Sequence, residues 1–166
     1  MGSYPHSSFT DSFAAFEALV SALQTDEMVG SSHVDVETHI DEKGTEVLRL
    51  LYQDHLSLRA ERETKRAMTG ADGQVRTEAR TGGRDLMSLF GGVVVRRLAL
   101  TKRGVSGGLR PMDAWLNLPT DTFSLVVRKE VAWAVANGSF ESAVEDVARL
   151  TGATVHKRQA ERLAMA

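Results

Sequence analysis

Two sets of side chains in this sequence are of the types that bind phosphate oxygens and base edges. His156, Lys157, Arg158, Gln159 and Arg162 fall together late in the chain, and Arg76, Arg80, Arg84, Arg96 and Arg97 fall in its middle. A guanidinium pairs with a phosphate through two parallel hydrogen bonds. Lys, His and Gln add single donors or read the edges of purines. The chemistry these residues suit is the holding of a polyanion. It breaks no bond.

Other groupings could do chemistry, and each has a plainer reading. Gly104-Val105-Ser106-Gly107-Gly108 has the form of a nucleophile elbow, which needs a strand before it, a helix after it and a large α/β sheet around it. Leu109-Arg110-Pro111 follows instead, so Ser106 is expected in a loop. The same segment lacks the Gly-Lys-Ser/Thr of a phosphate-binding loop. His33, Asp35, Glu37 and His39 would share one face of a strand as metal-capable ligands; on a helix they give only the pairs His33/Glu37 and Asp35/His39. Acids at a helix start also suit the helix dipole without any metal. There is no Cys, hence no disulfide and no thiolate chemistry. Glu141, Glu145 and Asp146 lie on one helix, while Asp72 and Asp85 stand in or beside turns. None of these sets converges as a metal site would, so no catalytic residue, metal ligand or cofactor is expected.

The elements that would position the late set are two short helices with a tight turn between them. Ser139 follows Asn137-Gly138 and can cap a helix whose apolar face is Phe140, Ala143, Val144, Val147 and Leu150. Thr151-Gly152-Ala153 is the turn, and Thr154 caps the basic helix behind it. Helix, glycine turn and polar helix is the helix-turn-helix pattern, although a plain α-hairpin with a solvated last helix reads much the same. Only Val155, Ala160 and Leu163 are left for that helix to bury.

The middle set belongs to a segment whose period changes from helical to alternating between Gly70 and Pro111. Strands are expected over Gln74–Arg80, Arg84–Phe90 and Val93–Thr101, with turns at Gly82-Gly83 and Gly91-Gly92. The arginines would stand on this small sheet, with Arg96 and Arg97 on opposite faces. A mobile Gly-rich loop, Lys102–Gly108, leads out. A helix from about Asp121 to Val135 follows, packed by Val127, Val131 and either Trp133 or Ala134.

Ahead of the sheet, Thr10 or Asp11 caps an amphipathic helix with Phe13, Phe16, Val20 and Leu23 on one face. Gly30-Ser31-Ser32 reads as a linker. A second helical region runs from about Val34 to Met68, with Ile40, Val47, Leu51, His55 and Leu58 as its apolar stripe. His55 is expected in the core, and Gly44 is expected to break or kink the helix.

The fold class that results is α+β, mostly α: N-terminal helices, a small antiparallel β-meander, and a C-terminal helix-turn-helix-like bundle. The divisions fall at residues 1–69, 70–112 and 113–166. The net charge of −2 conceals an uneven distribution. Residues 1–54 hold 2 basic and 10 acidic side chains, residues 55–110 hold 12 and 5, and residues 111–166 hold 6 and 7. A basic middle behind an acidic front points to a polyanion partner, with double-stranded DNA the first candidate. The N-terminal helices are candidates for a homo-oligomer contact. The opening MGSYPHSSFT has no signal-peptide pattern and no apolar run is long enough to span a bilayer, so a cytoplasmic protein without membrane contact is expected.

Three stretches, GADGQVRTEARTGGRDLMSLFGGVVVRRLAL, LRPMDAWLNLPTDTFS and VRKEVAWAVANGSFESAVEDVARLTGATVHKRQAERL, cover most of residues 46–163. Their order is distinctive: arginine-rich strands, Pro-x-Asp-x-x-Leu-Asn-Leu-Pro, then Gly-Ser-Phe-x-x-Ala and Arg-Gln-Ala-Glu. In these blocks the chain resembles the N-terminal part of a bacterial insertion-sequence transposase of the ISKra family. The resemblance implies a DNA-binding region that recognises the element's ends, ahead of a ribonuclease-H-like domain using three carboxylates and divalent metal. The chain is expected to end before that domain, so none of the family's catalytic carboxylates carries over. The expected function is transposon-end recognition by a transposase fragment or its stand-alone descendant. A helix-turn-helix transcriptional regulator and an inactive remnant are the alternatives.

Overall fold

Alanine at positions 14, 15, 18 and 22 makes Thr10–Leu23 a good helix (α1), but its N-terminus is not capped from within. The cap position is Phe9, which has no side-chain acceptor to offer, rather than the expected Thr10 or Asp11. The missing acceptor comes from 42 residues away: the Ser12 amide donates to Asp54 Oδ2 at 3.0 Å, and both residues are buried. The computed structural model describes residues 8–138 and, beyond them, the single positions Glu145, Ala148 and Arg158. The chain forms two compact units, residues 1–55 and 56–166.

In the first unit the expected linker Gly30-Ser31-Ser32 separates two helices, and the chain just before it adds a helical turn of its own. Thr25 Oγ1 accepts from the Met28 amide and caps a one-turn helix, α2 (Asp26–Val29), that ends at Gly30. Ser32 Oγ accepts from the Asp35 amide and donates to the Asp35 carboxylate, which starts α3 (His33–Glu61). The helix passes through Gly44 without a break. Ser12 of α1 meets Asp54 of α3, and Ala22 lines a groove with His39, so the two helices run antiparallel. The expected stripe is displaced: Ile40, Leu51 and His55 are exposed, and the buried positions of α3 are Asp54 and Leu56. Phe13 and Phe16 remain about half exposed, beside Val47 and Leu51 in a shallow groove of about 190 Å³.

In the second unit α3 stops at Glu61, short of the expected Met68, and residues 63–67 form neither helix nor strand. Two antiparallel pairs replace the expected meander: β1 (Met68–Thr69) with β2 (Val75–Arg76), and β3 (Glu78–Ser88) with β4 (Gly91–Thr101). β3 runs straight through Gly82-Gly83, which sit opposite Arg97 and Arg96 in extended backbone, so no turn forms there. The hairpin turns at Leu89-Phe90, between Ser88 and Gly91. Gly91 takes φ +111°, and Ser88 Oγ accepts from the Phe90 amide while donating to the Gly91 carbonyl. One hydroxyl thus serves the turn's polar groups.

Each outer edge of the hairpin gains one more pairing. Leu109 exchanges two hydrogen bonds with Leu100, and residues 122–124 bond to Met87 through Thr122 O and the Ser124 amide. Between these contacts α4 (Pro111–Trp115) starts with proline at its first turn and ends beside Asn117, at φ +49°. α5 (Leu125–Asn137) is capped by Ser124 Oγ and buries Val127, Val131 and Ala134 with Phe123 against Met87 and Leu89. Ala134 takes the buried place and Trp133 the exposed one. Leu86, Val93, Val95 and Leu100 are the buried apolar positions of the hairpin, with Ser88 and Arg97 buried beside them. The architecture is α+β with two small antiparallel sheets. The expected helix-turn-helix, Ser139–Leu163, lies outside the described residues except at Glu145, Ala148 and Arg158.

Candidate functional site

Three of the five sheet arginines are turned to the fold's own use. Arg76 is buried, and its guanidinium binds the Asp72 carboxylate through both terminal nitrogens, at 3.0 and 2.8 Å. Its remaining donors reach Gln74 O, Ser106 O and Gly107 O. The Gly-rich loop expected to be mobile is therefore tied to β2 through its carbonyls, and Ser106 contributes its backbone rather than a nucleophile. The hydrogen bond from Arg76 holds the Asp72 carboxyl down at about 2. A Cβ on Gly70 would run into the guanidinium, so glycine there leaves room for the pair.

Arg84 donates to the Pro119 and Asp121 carbonyls and holds the segment that leads into α5. Arg97 is buried and its Nε lies against Asp113 Oδ1 of α4, an ion pair without hydrogen-bond alignment. Arg76, Arg84 and Arg97, expected among the sheet's phosphate contacts, are thus committed within the fold. The reason is geometric: chain leaving a hairpin carries carbonyls without strand partners, and a guanidinium supplies five donors in a fixed fork to meet them. The cross-strand register adds a second reason. Arg80, Arg84 and Arg97 belong to one face and Arg96 to the other, paired with Gly83. Only Arg80 and Arg96 of the five are exposed.

Of the late set, Arg158 is helical and exposed, and His156, Lys157, Gln159 and Arg162 lie outside the described residues. His33, Asp35 and Glu37 are exposed on the first turns of α3, where Asp35 belongs to the Ser32 cap. Among the described residues no three His, Asp or Glu side chains converge as metal ligands.

Exposed cations are nevertheless present, on both faces of the hairpin and in the chain around it. Arg62, Lys65, Arg66, Lys102, Arg103 and Arg110 are exposed together with Arg80 and Arg96. Across residues 56–110 only Glu61, Asp72, Glu78 and Asp85 are exposed acids. The run from Arg59 to Met68 is charged all round, which reads as a stretch leaving the core, and Arg62, Lys65 and Arg66 on it are exposed.

The second unit also contains a groove of about 350 Å³. Met68, Leu98, Leu100 and Pro111 give it apolar walls, and Trp115, 68% exposed, stands at it. Glu63 lines it as well. One carboxylate oxygen accepts the Leu98 amide at 2.7 Å, and the other, Oε1, is buried with no partner among the described residues. No spacing in the sequence marked Glu63 or Trp115, because they meet only through the path of the chain around β4.

Comparison with family models, curated proteins and solved structures finds no match to this chain. No helix of the described residues is long and apolar enough to cross a membrane.

Proposed function

We propose that this chain binds double-stranded DNA in the cytoplasm, as the end-recognising part of a transposase related to the ISKra family. The observation that carries the reading is the separation of charge. After Arg76, Arg84 and Arg97 are set aside as internal, exposed cations still outnumber exposed acids two to one over residues 56–110. The acidic stretch falls almost wholly in the other compact unit, since the division at His55/Leu56 lies one residue from the charge boundary. A surface of one sign attracts a polyanion and accelerates its encounter. Arg80, Arg96 and their neighbours anchor phosphates, and the late set His156, Lys157, Arg158, Gln159 and Arg162 supplies base contacts.

The test is duplex binding as a function of salt. Affinity should fall linearly in log–log form, with a slope of roughly 0.9 per phosphate contact. Preference for the ends of an insertion element over other DNA would support recognition. Binding at a promoter instead would favour a regulator, and absence of binding to any duplex would refute the proposal. No strand cleavage is assigned to this chain.

In the first unit, Phe13, Phe16, Leu48 and Leu51 are each about half exposed on α1 and α3. We read them as the contact through which a second copy associates, as the two-ended substrate of a transposase requires.

A further inference from the structure

The groove beside β4 combines three features that seldom occur together. Its carboxylate has one oxygen committed to the Leu98 amide and the other, Glu63 Oε1, buried without a partner among the described residues. A buried carboxylate oxygen without a donor is costly, so an occupant that brings an N–H gains from this position. Its aromatic, Trp115, is one of the most exposed large apolar side chains described, and therefore offers a free ring surface. Its cations, Arg62 and Arg66, are exposed and have no ion-pair partner among the described residues.

Charge complementarity selects among occupants. A cationic side chain would suit Glu63 but is opposed by both arginines. An apolar peptide segment could bring a backbone N–H to Oε1 but would leave both arginines unused. A nucleotide has a flat base for Trp115, a neutral N–H on the base edge for Oε1, and a phosphate for the arginines. In paired duplex the base faces are stacked and the edge donors are spent, so the base must be out of the helix. The groove volume of about 350 Å³ sits at the small end of ligand sites and suits a single base.

The geometry points to a pocket for one unpaired base of a DNA strand, stacked on Trp115, hydrogen-bonded to Glu63 and anchored through its phosphate by Arg62 and Arg66. This rests on the DNA-binding proposal and deepens it.

The experiment compares binding of the full chain to a blunt duplex, to the same duplex carrying one bulged adenine, and to dAMP. A Trp133→Phe background leaves Trp115 as the sole tryptophan for fluorescence. The bulged duplex should bind about tenfold more tightly than the blunt one and quench Trp115, since stacking of one base is of that order. Trp115→Ala and Glu63→Gln should each remove that preference with blunt-duplex affinity retained. Glu63→Gln is the conservative change, because the amide oxygen can still accept the Leu98 N–H while the NH₂ group reverses the polarity where Oε1 stood. If Trp115→Ala lowers the melting temperature, the Glu63→Gln chain decides. Equal binding of bulged and blunt duplexes would overturn the pocket and leave the duplex proposal standing. No binding to either would overturn both. A preference that survives both substitutions, or dAMP binding as tightly as the bulged strand, would also overturn the assignment to a strand base.

Discussion

Arg96 and Arg97 are neighbours in the chain and opposites in role. The pleat sends Arg96 to solvent and Arg97 inward to Asp113. Arg97→Ala should therefore lower stability by about 1–2 kcal/mol, since Asp113 is 27% exposed and water takes up part of the charge left behind. Arg96→Ala should leave the denaturation midpoint unchanged and weaken duplex binding. Urea titration and a binding isotherm on both variants separate the two roles, and equal losses of affinity at unchanged stability would contradict them. At Asp72 the same scale gives a pH effect. Its carboxyl falls from 3.8 to about 2 on folding, chiefly through the hydrogen bond from Arg76. A depressed carboxyl contributes stability that is complete above its unfolded value and is lost as pH falls toward and through the folded one. Protection of the amides around Gly70–Arg76, taken relative to unstructured peptide at the same pH, should fall between about pH 4 and pH 2 in the native chain. Asp72→Asn should flatten that dependence, and an unchanged profile would remove Asp72 from the account.

Among the elements, α1 is the one whose start depends on a distant residue. Asp54 accepts the Ser12 amide in a buried setting, and hydrogen bonds to charged groups contribute roughly 1.5–3 kcal/mol. Asp54→Ala should cost about that much and fray the first turn of α1, as read by thermal melts and exchange at Ser12 and Phe13. Asp54→Asn keeps an acceptor and should cost less. The opposite outcome is expected in the middle of α3. Gly44 is helical, and a methyl group there would meet no neighbour within 4 Å. Gly44→Ala should stabilise the chain by roughly 0.5–1 kcal/mol, because alanine loses less backbone freedom on helix formation. A lowered melting temperature would show that the glycine serves a purpose the helix itself does not reveal.

At the scale of the whole molecule, the testable property is the charge on each unit. Lys157, Arg158 and Arg162 changed together to Ala should flatten the salt dependence of duplex binding, by roughly 0.9 in slope for each phosphate no longer neutralised. If the slope stays the same, the exposed cations of residues 56–110 carry the binding alone. Association through the first unit predicts that Phe16→Glu shifts the sedimentation of a self-associated chain toward the monomer. A native chain that sediments as a monomer at all accessible concentrations would remove the second copy from the proposal.

The sequence by itself determined the α+β class, the helical run of the first sixty residues, the hairpin and the helix with Val127 and Val131 inside. These follow from local periodicity, which needs no knowledge of what lies across the fold. It also located the charge boundary within a residue of where the units divide. It misplaced what depends on a partner far along the chain. Gly82-Gly83 read as a turn because glycine is permissive, yet strand pairing with Arg96 and Arg97 kept both extended. His55 read as core, but it is exposed, and its neighbour Asp54 is buried instead, where it accepts the Ser12 amide at the start of α1. Five arginines read as candidate phosphate contacts, and carbonyls at 106–107, 119 and 121 together with Asp113 claimed three of them. Glu63 and Trp115 carried no signal, since a groove exists only once β4 has been laid beside the chain that precedes and follows it. Local propensity is written residue by residue, whereas the pairing of buried polar groups is decided by the tertiary structure, because each donor must find its acceptor wherever the fold brings one.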